Sequence, residues 1–288
     1  MIESDFYKDY IAAMKDLLVA QGYAPDTNAA EQDIEFQFLN VFRRLVEPVP
    51  RTVHEAAGLA CPAQHQAGYD AIKDKMAQGH DLRPHLSRRL ADLNYHDALL
   101  NEWAVHHLHL GTTLEADGFS NRTGELLFVK FTPEAAYCLH FGNHGSFSDI
   151  ELFEVIHQNW PHLIARWKPV GVVGLSQPIS NEDRKKLRRA NINSPIQVSD
   201  GTVYLPPGGM ATSGLSIDVV RIADRNRQLV LDWERRVRAF EPELRKRASD
   251  AGNPLADPIA VRLGFQDGIG YAITEGDGWA IKLGPLPL

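Results

Sequence analysis

The chain has 288 residues, 44% hydrophobic and 23% charged, with a net charge of −7, proportions that suit a folded protein and are too apolar for a disordered one. It has no run of the about 20 apolar residues that a membrane helix needs, and Met1-Ile2-Glu3-Ser4-Asp5 shows neither the basic start nor the apolar stretch of a secretion signal. Cys61 and Cys138 are the only cysteines and form no CxxC pair, so a disulfide framework, a thiolate zinc site, a cofactor and membrane attachment are not expected, and a cytoplasmic location is.

In chain order, Phe6, Tyr10, Met14, Leu17 and Leu18 recur at helical spacing, with Gly22 as a stop before Pro25. Ile34, Phe38, Phe42 and Leu45 predict a second helix that ends before Pro48 and Pro50. Tyr69, Ile72 and Met76 predict a third, ending at Gly79, and Leu86, Leu90 and Leu93 a short fourth entered at Pro84. From Trp103 the period falls to two, and residues 104–110, 125–131 and 135–141 read as a small antiparallel sheet with a tight turn at Thr132-Pro133-Glu134. Helical spacing returns through Phe147, Ile150, Phe153, Ile156 and Trp160 until Pro161.

A second domain is expected to begin near Lys168, because 288 residues are long for one core. Residues 1–167 form the expected helical and antiparallel-sheet domain, and 168–288 a mixed α+β domain, making the fold α+β. The charge supports a division: residues 1–165 hold 12 basic and 23 acidic side chains, a balance of −11, whereas 166–288 hold 18 and 14, a balance of +4. Residues 170–175 read as an apolar strand, 181–189 as a basic helix, and 198–204 as a hairpin. Ser216 is placed to cap a long helix whose stripe runs Ile222, Val230, Trp233, Val237, Phe240 and Leu244. Residues 259–288 alternate apolar side chains with turns at Gln266-Asp267-Gly268 and Glu275-Gly276-Asp277-Gly278.

The chemistry concentrates in histidine. Eight of the twelve histidines fall between His96 and His162, three of them in Val105-His106-His107-Leu108-His109-Leu110. On a strand His107 and His109 share one face, while His106 joins Leu108 and Leu110 on the other. His140 and His144 end the third strand of the same sheet and can approach that face, and Arg122 in the connecting loop supplies a permanent cation. Imidazoles titrate near neutrality and move protons, and a guanidinium stabilises charge on phosphate. No metal ligands are assigned here, since no Asp or Glu lies within the run and Glu102 and Asp117 reach it only through the fold. A second candidate binding region joins the glycine-rich loop 206–214 and its Ser213 and Ser216 hydroxyls to the basic residues Arg184, Lys185 and Arg188. It lacks the GxxxxGK[ST] and GxGxxG patterns of a nucleotide site.

The stretch from Ile72 to Gly145 resembles the RelE/ParE superfamily of bacterial toxins, in which a helical segment precedes an antiparallel sheet and a late strand ends in histidine or arginine. The resemblance rests on WAVHHLHLG (residues 103–111), RTGELLFVKF (122–131) and AAYCLHFGNHG (135–145). It implies that Arg122 contacts phosphate and His144 acts as acid or base. It departs from the family in its acidic first half and in having His107 and His109 where catalytic members are basic. The expectation is a metal-independent endoribonuclease of toxin or phage-defence type, with His107, His109, Arg122 and His144 catalytic and RNA, or a protein partner such as an antitoxin, as its partner. A non-catalytic binding module and a metal-dependent hydrolase are the alternatives.

Overall fold

The computed structural model describes residues 1–26, 28–148, 150–276 and 278–286; Asp277 of the last expected turn, Leu288 of the expected tail and the Phe147 side chain of the expected helical stripe lie outside the described residues. The fold is α+β, with eight α-helices among the described residues, two mixed four-stranded sheets and one two-stranded hairpin. No helix among these residues is long and apolar enough to cross a membrane.

β1 (Ile2–Glu3) leads into α1 (Phe6–Ala20), where the Asp5 carboxylate accepts the Lys8 amide at 3.0 Å as an N-cap. α2 (Glu31–Arg44) carries Glu31 and Asp33 in its first turn and Arg43 and Arg44 in its last, charges that complement both ends of the helix dipole. β2 (Thr52–Glu55) and α3 (Gln66–Gln78) follow, the latter closed by Gly79 at φ 73°, where a Cβ would also strike the Pro50 backbone. Next come α4 (Ala98–Trp103), β3 (Val105–His109), β4 (Leu126–Phe131), β5 (Ala135–Gly142) and α5 (Glu151–Asn159). The rest is α6 (Asn181–Arg189), β6 (Ile196–Gln197), β7 (Val203–Tyr204), α7 (Ile217–Ala239), α8 (Glu241–Asp250), β8 (Ile259–Gln266), β9 (Ile269–Thr274) and β10 (Ala280–Pro285).

Four expectations change. Residues 86–93 do not form an α-helix. Two 3-10 turns, Arg83–His85 and Arg88–Ala91, stand in this region, and the Arg44 guanidinium takes the Arg89 and Asp92 carbonyls at 2.8 Å each. Residues 170–175 form no strand: Gly171 sits at φ 80°, and Val170 and Val173 are almost fully exposed. The expected long helix ends at Ala239 and restarts as α8, because Pro242 lacks an amide proton and clashes with the preceding turn of a continuous helix. The chain divides into one compact unit of Met1–Leu39 with Val219–Leu288 and another of Asn40–Asp218, so the expected boundary at 167/168 falls inside the second. Residues beyond it return to that unit's core, where Ile196, Val198 and Tyr204 pack with Trp103, Val105 and Phe153.

Within Asn40–Asp218 the sheet runs β2-β5-β4-β3, with β2 parallel to β5 and the other pairs antiparallel. One face buries Leu108, Leu127, Val129 and Cys138 with Tyr69, Ile72 and Met76 of α3. The other buries Val105, Phe128 and Leu139 with Phe153 and Ile156 of α5. Within the other unit the sheet runs β1-β8-β9-β10, with β1 parallel to β8 and α1 packed on β8. Gly270 is required there, since a Cβ would come within 2.7 Å of the Trp233 ring.

Candidate metal centre

β3 lies at the sheet edge and pairs only with β4, placing His107 opposite Phe128 and His109 opposite Leu126. The unbroken register keeps Val105, His107 and His109 on one face, as their two-residue spacing requires. The free side of the strand is pinned locally. His85 donates Nδ1–H to the His109 carbonyl at 3.0 Å, and Lys75 Nζ donates to His85 Nε2 at 2.9 Å, which fixes the His85 tautomer. The Leu110 amide donates to Thr123 Oγ1 at 3.1 Å, and that hydroxyl donates to the Glu125 carbonyl at 2.6 Å. The loop carrying Arg122 is thereby tied to the end of β3.

His144 arrives from the other side of the sheet. After β5 the chain turns back through the 3-10 segment His144–Ser148, with the Gly145 amide donating to Asn143 Oδ1 at 2.7 Å and the Ser146 amide to the Asn143 carbonyl at 2.9 Å. Gly142 permits the close return, because a Cβ there would meet Ser146 Oγ at 2.8 Å and the Phe128 ring at 3.3 Å. The His144 ring centre then stands 5.9 Å from that of His107 and 5.8 Å from that of His109, while His107 and His109 are 6.3 Å apart. Each imidazole offers a nitrogen within 4.8 Å of the other two.

The electrostatics favour neutral rings. Burial pushes His109 down to about 3, helped by His107 and Arg122, and burial likewise lowers His107 and His144 with the Arg122 charge adding to both. Neutral imidazole is the form that ligates a metal. His109 is 3% exposed, and neither of its ring nitrogens has a hydrogen-bond partner. A buried polar group left in this way is costly unless a ligand satisfies it. Three imidazoles are a protein donor set found in catalytic zinc sites, in which nitrogen to metal distances are about 2.0–2.1 Å. No protein-family model, curated protein or solved structure matches this chain.

Of the expected catalytic residues, His107, His109 and His144 come together, and exposed Arg122 acts electrostatically on all three while making no ion pair among the described residues. Although no metal ligands were assigned from the spacing, positions 107, 109 and 144 become a donor set once β5 and its return turn are folded. His140 does not join them; it lines a separate concavity with Gly58, Leu59 and Phe141. The carboxylates named from sequence are engaged elsewhere, Glu102 with Arg188 at 2.7 Å and Asp117 with Arg88 at 2.7 Å. Asp97 supplies the nearby carboxylate instead, its Oδ2 lying 3.5 Å from His107 Nδ1.

The second expected region does not converge on this centre. Arg184 and Arg188 are buried, Arg184 donating to the Pro195 and Ile179 carbonyls, so their charges serve the unit's interior; Lys185 remains exposed on α6. The loop 206–214 spends its amides on protein: Gly209 donates to the Asn101 carbonyl at 2.8 Å, and Met210 to Asn193 Oδ1 at 2.8 Å. Ser213 is exposed, and Ser216 is 1% exposed with an unbonded hydroxyl.

Proposed function

We propose that this chain is a divalent-metal-dependent hydrolase of phosphodiesters, with RNA as its first substrate class, and that His107, His109 and His144 hold the metal. The observation carrying this reading is His109, a buried, neutral imidazole with two unbonded nitrogens beside two further imidazoles. A metal held by three imidazoles supplies an acidic bound water and a Lewis acid at neutral pH. Arg122, at the exposed rim, binds the anionic phosphate and stabilises the charge that grows as water attacks. The water oxygen bonds to phosphorus, the bond to the leaving alkoxide breaks, and the water proton ends on that alkoxide.

A metal-free cleavage of RNA, with His144 as acid or base beside Arg122, is the second reading. It is favoured by the exposure of both side chains, and disfavoured by burial and the Arg122 charge, which lower the His144 pKa and so work against its acid form. The test is cleavage of RNA and of bis(p-nitrophenyl) phosphate by protein loaded with one equivalent of Zn²⁺ or Mn²⁺, then stripped by chelator. Activity that disappears with the metal and returns on reloading is expected. Activity indifferent to chelator transfers the assignment to the metal-free reading, and inertness of every metal-loaded form on both substrates contradicts the hydrolase.

A further inference from the structure

We infer that Asp97 is the positioning residue that sets the tautomer of His107 and turns its Nε2 toward His109 and His144; this rests on the metal-centre reading above. Asp97 is the N-cap of α4, and its Oδ1 accepts the Leu100 amide at 3.1 Å. That bond fixes the carboxylate. Its second oxygen, Oδ2, stands 3.5 Å from His107 Nδ1, within ion-pair reach but not hydrogen-bonded to it, and both side chains are about nine-tenths buried or more, at 10% and 4% exposure. A carboxylate only accepts hydrogen bonds, so it favours the proton on Nδ1 and leaves the Nε2 lone pair for a ligand. The same arrangement of carboxylate, imidazole and metal orients ligands in known zinc sites, where losing the outer partner lowers metal affinity about 10–100-fold. A cavity of about 20 Å³, room for about one water, adjoins the pair and is lined by Asp97, His106, His107, Tyr95, Arg44 and Leu100.

The cap makes a clean test. In Asp97→Asn the amide oxygen must still accept the Leu100 amide, so the NH₂ group faces His107 Nδ1 and drives the ring to the Nε2–H tautomer, which cannot ligate through Nε2. Because Asn caps helices as well as Asp, thermal stability should hold. Asp97→Ser keeps a capping oxygen and removes the carboxylate without introducing that donor. Zn²⁺ affinity by competition with a chromophoric chelator should fall about 10–100-fold in both variants, and nitrogen-15 NMR of the metal-free proteins should show His107 as Nδ1–H in the wild type and Nε2–H in Asp97→Asn. Zinc binding within twofold of wild type in both variants, with an unchanged His107 tautomer, overturns the inference while leaving the metal centre standing. A wild type that binds no Zn²⁺ overturns the metal centre itself.

Discussion

Each unit of the chain buries a polar cluster, and the two are satisfied in opposite ways. In Met1–Leu39 with Val219–Leu288, Glu35 accepts from the Tyr7 hydroxyl at 3.0 Å and the Tyr10 hydroxyl at 3.1 Å; Arg227 donates to Tyr7 at 3.0 Å and Asn226 to Tyr10 at 3.2 Å. Burial raises the Glu35 pKa, opposed by the two tyrosine hydrogen bonds. Both Glu35 oxygens and both tyrosine hydroxyls are thereby partnered, while Asn226 Oδ1 is buried without a hydrogen bond. In Asn40–Asp218 the His109 imidazole is as deeply buried but bonds to nothing, although two other imidazoles stand beside it. Partnered buried groups specify a conformation, whereas a buried imidazole such as His109, with neither nitrogen bonded, tolerates its burial only as an arrangement for a ligand.

Buried ion pairs should be the costly ones to open. Arg188→Ala leaves Glu102, whose pKa burial already raises, as an unpaired interior carboxylate; a loss of about 3–5 kcal/mol is expected from urea unfolding. Lys130 is an intermediate case, buried with its Nζ donating to the Trp103 carbonyl at 2.7 Å and its pKa pushed down to about 8 from 10.5 by burial and Arg43. Between those two values the unfolded chain holds a proton that the folded one has released, so this group makes stability rise with pH. The slope is about 1.4 kcal/mol per pH unit at most, and Lys130→Met should flatten it over pH 8 to 10.5 relative to wild type.

Glu35→Ala should cost about 1–3 kcal/mol by stranding two tyrosine donors, without changing metal affinity. His109→Leu should do the reverse. Replacing an unsatisfied buried imidazole with an apolar side chain should raise metal-free stability by about 1 kcal/mol while eliminating metal binding. A destabilised His109→Leu protein would mean that the imidazole is a structural group like Glu35, and would erase the contrast between the clusters.

How much of this was legible in the sequence depended on range. The period-two runs gave β3, β4 and β5, and the spacing of His107 and His109 gave their shared face, because alternation is a local property. β1 and β2 were not visible: one has two residues and the other, mostly exposed, has no apolar alternation, and both exist through parallel pairing with distant strands. The apolar run 170–175 misled because composition without pairing partners does not make a strand. At the site, the glycines and Asn143 around His144 announced a turn but not its destination. Asp97 is itself signalled locally, as an Asp just before the apolar Ala98-Leu99-Leu100, the mark of a helix N-cap. His85 carries no such mark, since its bond to the His109 carbonyl depends on the packing of two 3-10 turns.

The claim that three imidazoles form one metal centre is tested most directly by equilibrium dialysis of metal-stripped protein against Zn²⁺, with Co²⁺ substitution to read the coordination from its visible spectrum. One tightly held ion per chain is predicted, with a tetrahedral cobalt spectrum. It should be lost in His107→Ala, His109→Ala and His144→Ala, and kept in His140→Ala, whose side chain lines a different concavity. Zinc bound equally well by wild type and His109→Ala, or by neither, would contradict the account.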